Sequence, residues 1–247
     1  INKLLIGAYA CFNNGAAAGG GAQSSDAYIF GCDENRIGTI FGVSTYDAFI
    51  WNQNDAYIQN KWVYQYAAIG RANDVLKMIP KVQNSSSEKL LQIEAEARFI
   101  RAVFYLRLYF YFKNVPWIDE AISYSEKNFL VPNTEDIFPR IISDFKFAAD
   151  NLSETKSEVG RANKWAAKSF LAKAYMQVHN YSEAKTLLDD IIANGITAKG
   201  LKYKLLDNYN DNFIGRTRNG SEGVFVMQNS VFDGQLIDNR GNPTDKY

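Results

Sequence analysis

Side chains able to do chemistry are few in this chain, and they are scattered. Its one histidine, His179, falls in a His179-Asn180-Tyr181 turn between two helical patterns. A metal site needs several ligands converging on one point. A Ser-His-Asp triad would have to recruit the same histidine from a tight turn. A structural role is therefore expected for His179, and no metal. Cys11 and Cys32 leave a disulfide open by their spacing and suggest no metal either. Carboxylate pairs for glycoside hydrolysis meet only in space. The obvious neighbours, Asp189/Asp190 and Glu94/Glu96, sit on helical patterns with salt-bridge spacing and read as surface pairs. Residues 13–23 are rich in Gly and Ala but lack the Lys-Ser/Thr ending of a phosphate loop, so they read as a plain loop. Recognition is the chemistry that remains. Residues 24–54 combine rings (Tyr28, Phe30, Phe41, Tyr46, Phe49, Trp51) with short polar groups (Asp26, Asp33, Arg36, Asn54) outside any helical pattern. Flat rings beside donors and acceptors are what a ligand surface that uses rings would offer. Trp51 is either a ligand-stacking ring, with Tyr28, Asp26, Asp33, Arg36 and Asn54 as candidate partners around it, or an anchor of its loop. Trp62 occupies a helix-core position and reads as structural.

Composition narrows the classes further. With 27 basic and 27 acidic residues the net charge is zero, which argues against a general nucleic-acid binder. At 247 residues the chain can bury a sizeable core, and its 14% aromatic content is expected to fill that core first. The most apolar run, 99–112, contains Arg101 and Arg107 and is too short to span a bilayer. No secretion leader precedes Ile1, which leaves a cytosolic protein or a chain without its leader. No cofactor is implied.

The elements that must position these residues are helices. Residues 160–195, GRANKWAAKSFLAKAYMQVHNYSEAKTLLDDIIANG, carry two helical patterns joined by a short turn. Asn163 is the expected cap of the first, Ser182 of the second, and Gly195 the stop. Small Ala172 and Ala184 allow close approach, with Tyr175 and Tyr181 filling space beside them. Leu187/Leu188 and Ile191/Ile192 complete the second inner face. The order Leu171, Ala172, Tyr175, Tyr181, Ala184, Leu188, Ile191 resembles one tetratricopeptide (TPR) unit. Such a hairpin cannot bury both faces alone, so at least three antiparallel pairs should stack within 55–195. Further helices are expected over 1–12, 55–80, 89–112 and 135–152, with Pro139 kinking the last or marking its start. Glu94 and Arg98 stand four apart in the favourable order. A strand is expected at 223–227. The Asn-x-Ser sites at Asn84, Asn151, Asn180 and Asn219 fall where Asn also makes turns and caps.

Several segments in order resemble the SusD/RagB family: KWVYQYAAIGRANDVL (61–76), AEARFIRAVFYLRLYFYFKNVPW (95–117), DIFPRIISDFKFAADNL (136–152), the hairpin at 160–195, YKLLDNYNDNF (203–213) and EGVFVMQNS (222–230). These are outer-membrane nutrient-binding lipoproteins of Bacteroidetes. The resemblance implies an all-α-dominated, TPR-like helical-hairpin scaffold with long irregular loops and a short β element near the C-terminus. It implies one domain over 1–247, incomplete at its C-terminal side, with a helical core at 55–195 and an aromatic-polar loop region at 13–54. It further implies surface lipidation, a SusC-like TonB-dependent transporter as partner, glycan ligands and no catalysis. Cys11 lies inside the first helical pattern and does not match the family's lipidated cysteine. Arg71-x-Asn73 and Gly160-Arg161 are expected to hold the scaffold together. The alternative is a helical scaffold that binds a protein or peptide partner.

Overall fold

The computed structural model describes residues 1–13, 50, 52–123, 125–214, 217 and 219–228. Six α-helices form: α1 (Asn2–Tyr9), α2 (Ala56–Met78), α3 (Ser87–Phe112), α4 (Phe138–Asn151), α5 (Lys164–Gln177) and α6 (Tyr181–Asn194). Short 3-10 turns follow at Ala10–Asn13, Ile79–Lys81 and Tyr209–Phe213. No strand forms among the described residues, where only a single antiparallel bridge joins Ile196 to Lys202. The strand expected at 223–227 is instead a bent segment, opened by the Gly223 N–H donating to Gly220 O at 3.1 Å. None of the described helices is long and apolar enough to cross a membrane. The chain divides into two compact units, Ile1–Ala8 with Ala68–Gln228, and Tyr9–Ala67 with Asn229–Tyr247.

Local chemistry explains where the helices begin and end. Ser86 Oγ accepts from the Lys89 N–H at 3.3 Å, so α3 starts just ahead of the expected residue. Pro139 stands in the first turn of α4, with Asp136 Oδ1 accepting from the Phe138 N–H at 3.0 Å, and so marks the helix's start without kinking it. Asn163 Oδ1 caps α5 through the Ala166 N–H at 2.8 Å. The cap of α6 is Asn180, not Ser182. His179 sits at φ +60° and turns the chain back early, which places Asn180 before the first turn and Ser182 within it. Gly195 ends α6 with φ −63°, so it is needed for space and not for a left-handed backbone. A Cβ there would lie 2.4 Å from Ile191 O and 2.6 Å from the Tyr203 ring. Asn84 and Asn219 take left-handed turns, and Asn180 is a cap, in line with their reading as turn residues.

In the first unit α3 and α4 run antiparallel: Gln92 reaches Asn151, Phe99 meets Phe145, and Tyr109 meets Phe138. The α5–α6 hairpin lies against α4, with Phe170 of α5 joining Phe99 and Phe145. Among the described residues these are two antiparallel pairs, joined through α4 and α5. The C-terminal half of α2 is tied to α3 by Asn73. Residues 99–106 of α3 are buried without interruption, as their apolar character requires. On α6 the prediction was too generous. Ala184 and Ile191 are buried, but Tyr181 (59% exposed), Leu188 and Ile192 (72%) face solvent, because α5 covers only one stripe of this helix.

In the second unit Lys61 and Gln65 of α2 are buried while Trp62 is only half-buried, its ring tilted against Tyr66 at 5.0 Å. The buried stripe is thus turned by one residue from the expected one, and Trp62 is not a core anchor.

Tyr203, packed beside Gly195, has its phenol pushed up by burial from the ordinary 10.0 to about 12. A raised phenol gives stability that is fully present below the unfolded value of 10.0 and is lost as pH rises through about 12. Tyr203→Phe should therefore flatten the alkaline loss of stability in that window, read as Tm against pH. An unchanged profile would remove Tyr203 as its source.

Candidate functional site

Five of the six expected ligand residues, Trp51, Tyr28, Asp26, Asp33 and Arg36, lie outside the described residues, as does Cys32. Asn54 is described and exposed. Its N–H donates to Asn52 Oδ1 at 2.9 Å, an Asx turn leading into α2. Cys11 is buried in the 3-10 turn after α1. His179 Nδ1 and Tyr181 Oη are 2.7 Å apart in the exposed hairpin turn, the structural role expected for that histidine.

The carboxylates singled out above are held in ion pairs. Glu94 meets Arg98 at 2.7 Å, Glu96 meets Lys156 at 3.0 Å and Arg161 at 3.2 Å, Asp189 meets Lys185 at 2.5 Å, and Asp190 meets Lys168. The contacts of Glu96 fasten the segment after α4 onto α3, with Gln92 accepting from Lys156 beside it. Arg161 is placed there by Gly160, whose φ of +97° favours glycine.

A polar cluster that the sequence reading missed lies deeper. Arg101 is 4% exposed and sits in the middle of the fully buried stretch of α3. Its guanidinium binds Asp144 of α4 through two bonds, 2.7 and 3.0 Å, and donates to Asn73 Oδ1 at 3.0 Å and to Glu120 at 2.5 Å. Burial opposes its charge, but Asp144 and Glu120 outweigh burial and raise its pKa. For Asp144 burial prevails and pushes the carboxyl up, against Arg101 and Arg98. For Glu120, more than a third exposed, burial is outweighed by Arg101 and the pKa is lowered. Asn73 also donates to Ile118 O at 2.8 Å, and Tyr105 Oη both accepts from the Ile118 N–H and donates to Ile118 O. Tyr105 stacks on Trp117 at 4.1 Å. Arg71 donates to Gly7 O at 3.0 Å, tying α2 to α1. Two signals were legible: an arginine inside an apolar run, and an aspartate on the inward stripe Ile141, Asp144, Phe145, Ala148.

Beside this cluster opens a cleft of about 400 Å³, lined by the apolar Leu76, Ile79, Pro80 and Ala121 and the charged Lys77, Glu94 and Glu120. A second feature is the pair Tyr209 and Phe213, both exposed on a 3-10 turn with centroids 5.1 Å apart. Their planes stand at 64°, so they do not offer the coplanar platform a sugar face prefers.

Comparison with known proteins places this scaffold. The sequence profile of the SusD-like family described as "starch-binding associating with outer membrane" matches residues 2–176. A SusD-like protein of Bacteroides ovatus is 31% identical over 216 residues, which is 78% of this chain and 37% of that protein. A crystal structure of a SusD superfamily protein from Bacteroides vulgatus superposes with a TM-score of 0.80 at 26% identity, over 92% of this chain and 48% of the other. A structure solved with xylogluco-oligosaccharide superposes with a TM-score of 0.72 at 26% identity, over 92% and 46%. The chain therefore spans less than half the length of these relatives. The helical order, the two antiparallel pairs and the profile match agree, and the chain belongs to the SusD-like family.

Proposed function

We propose that this chain is part of a non-catalytic, surface glycan-binding subunit of a SusC/SusD-type nutrient uptake complex. In that role the full protein is held at the outer membrane by a lipid anchor and passes oligosaccharide to a TonB-dependent transporter. The observation that carries this reading is the likeness, over 92% of the chain, to a structure solved with a xylogluco-oligosaccharide. The engagement of Glu94, Glu96, Asp189 and Asp190 in ion pairs supports a scaffold role for them over an acid–base one. Binding is measured by calorimetry against xylogluco- and malto-oligosaccharides; no affinity for any sugar in the panel would overturn the reading.

The aromatic-polar segment 24–54 supplies the proposed contact residues, Trp51 stacking on the sugar with Tyr28, Asp26, Asp33, Arg36 and Asn54 as partners. Truncating a central aromatic anchor typically costs about 2 kcal/mol. Trp51→Ala should thus weaken binding roughly thirtyfold at unchanged Tm. Unchanged affinity in a folded variant would remove Trp51 from the site.

A second reading, a helical scaffold for a protein partner, is favoured by the solvent-facing Tyr181, Leu188 and Ile192 of α6. Under that reading Leu188→Glu with Ile192→Glu abolishes partner capture and leaves sugar affinity alone.

A further inference from the structure

We infer that the cleft between the end of α2 and the start of α3 is a second glycan subsite, selective for a neutral polyhydroxylated ligand. This rests on the glycan reading above and adds to it a location that the segment 24–54 does not cover. At about 400 Å³ the cleft falls within the roughly 300–1,000 Å³ typical of small-ligand sites. Its apolar lining of Leu76, Ile79 and Pro80 is aliphatic and suits the C–H face of a sugar ring. Its rim holds acceptors fixed from behind. Arg98 engages Glu94 through Oε1, Nε donating at 2.9 Å and Nη2 lying 2.7 Å away, and no partner of Oε2 is found among the described residues. Glu120 is held by Arg101 at 2.5 Å, and its pKa is lowered. Both carboxylates are held in place by arginines and accept from hydroxyls without reorganising.

Charge balance selects the ligand class. Lys77, Glu94 and Glu120 line the cleft, and the two carboxylates are already paired with Arg98 and Arg101. A free anion meets the two rim carboxylates, and a cation finds both already engaged by arginines; a neutral ligand with paired hydroxyls can donate to them with no charge of its own to balance. The rim is also rigid. Asn73 and Tyr105 both bind Ile118, which sets the position of Glu120 and Ala121 in the cleft.

The test is a titration of the chain with xylogluco- and malto-oligosaccharides, followed by calorimetry and by amide NMR. Ala121→Trp fills the cleft from its exposed rim and should weaken binding at least tenfold. Glu94→Gln, which keeps the shape and removes the charged acceptor, should weaken it a few-fold. In the wild type the amides of 76–80, 94, 120 and 121 should shift on binding; this readout stands even where a variant folds poorly. Shifts confined elsewhere, together with full affinity in Ala121→Trp, overturn the cleft and leave the glycan reading intact. A wild-type chain that binds no sugar overturns both.

Discussion

Asp144→Ala should destabilise the first unit by about 3–5 kcal/mol, because it strips the main partner from a charge that cannot reach water. Arg101 is 4% exposed and Asp144 2%, so neither can be solvated when the other is lost. Asn73 and Glu120 remain, but Asn73 is neutral and Glu120 is more than a third exposed, so its attraction is screened. The measurement is chemical unfolding, with the midpoint shifted and the slope unchanged. The companion double variant, Arg101→Met with Asp144→Leu, removes both charges and fills the space. It should recover most of the loss, since well-packed apolar replacements of a buried ion pair are often neutral. A double variant as unstable as the single one would show that the pair itself, not the orphaned charge, sets the cost. Because Asn73 and Glu120 belong to the same cluster, Asp144→Ala should also loosen the loop carrying Ile118 and Glu120, and with it the rim of the cleft.

The helices were legible because each carries its own start, stop and face. Asn163 and Pro139 announce helix starts through local chemistry that needs no distant partner. Where the reading failed, the deciding contact lay elsewhere in the chain. Ser182 is as good a cap as Asn180, and only the left-handed backbone at His179 chooses between them. Leu188 and Ile192 have the period of a buried face, but burial depends on whether a neighbour arrives, and α5 covers the other stripe. Gly195 reads as a left-handed stop, yet it is required because the Tyr203 ring, eight residues later, occupies the place of a side chain. The strand at 223–227 has the right residue types, but pairing is a property of two segments and its pattern names no partner. The polar cluster was half legible. Arg101 within an apolar run demands a counter-charge, whereas the choice of Asp144, 43 residues away, is fixed by how α4 lies on α3. For the proposed ligand segment the residue types were readable, and of its six proposed contact residues Asn54 alone is described, so its chemistry rests on ring and polar composition.

Phe99→Ala should cost a similar amount, about 3–5 kcal/mol, for the opposite reason: it removes apolar volume and leaves no charge behind. Phe99 is fully buried, and its ring meets Phe170 at 5.3 Å, Phe225 at 5.4 Å and Phe145 at 6.1 Å, two of them nearly perpendicular. Edge-to-face pairs of this kind add roughly 0.5–1.5 kcal/mol each beyond the area they bury. The partners come from α4, α5 and the segment after Gly223, so no single helix can move in to close the cavity. The same ring therefore holds the two helical pairs together and seats the 223–228 segment on them. Phe99→Leu keeps most of the volume and should cost less, about 1.5 kcal/mol or below. Phe225→Ala, at a half-buried ring, should also cost less than Phe99→Ala while loosening the same segment. Unfolding midpoints rank the three variants. A Phe99→Ala loss below about 1 kcal/mol would mean that the helices collapse into the space, and that this ring is not what joins them.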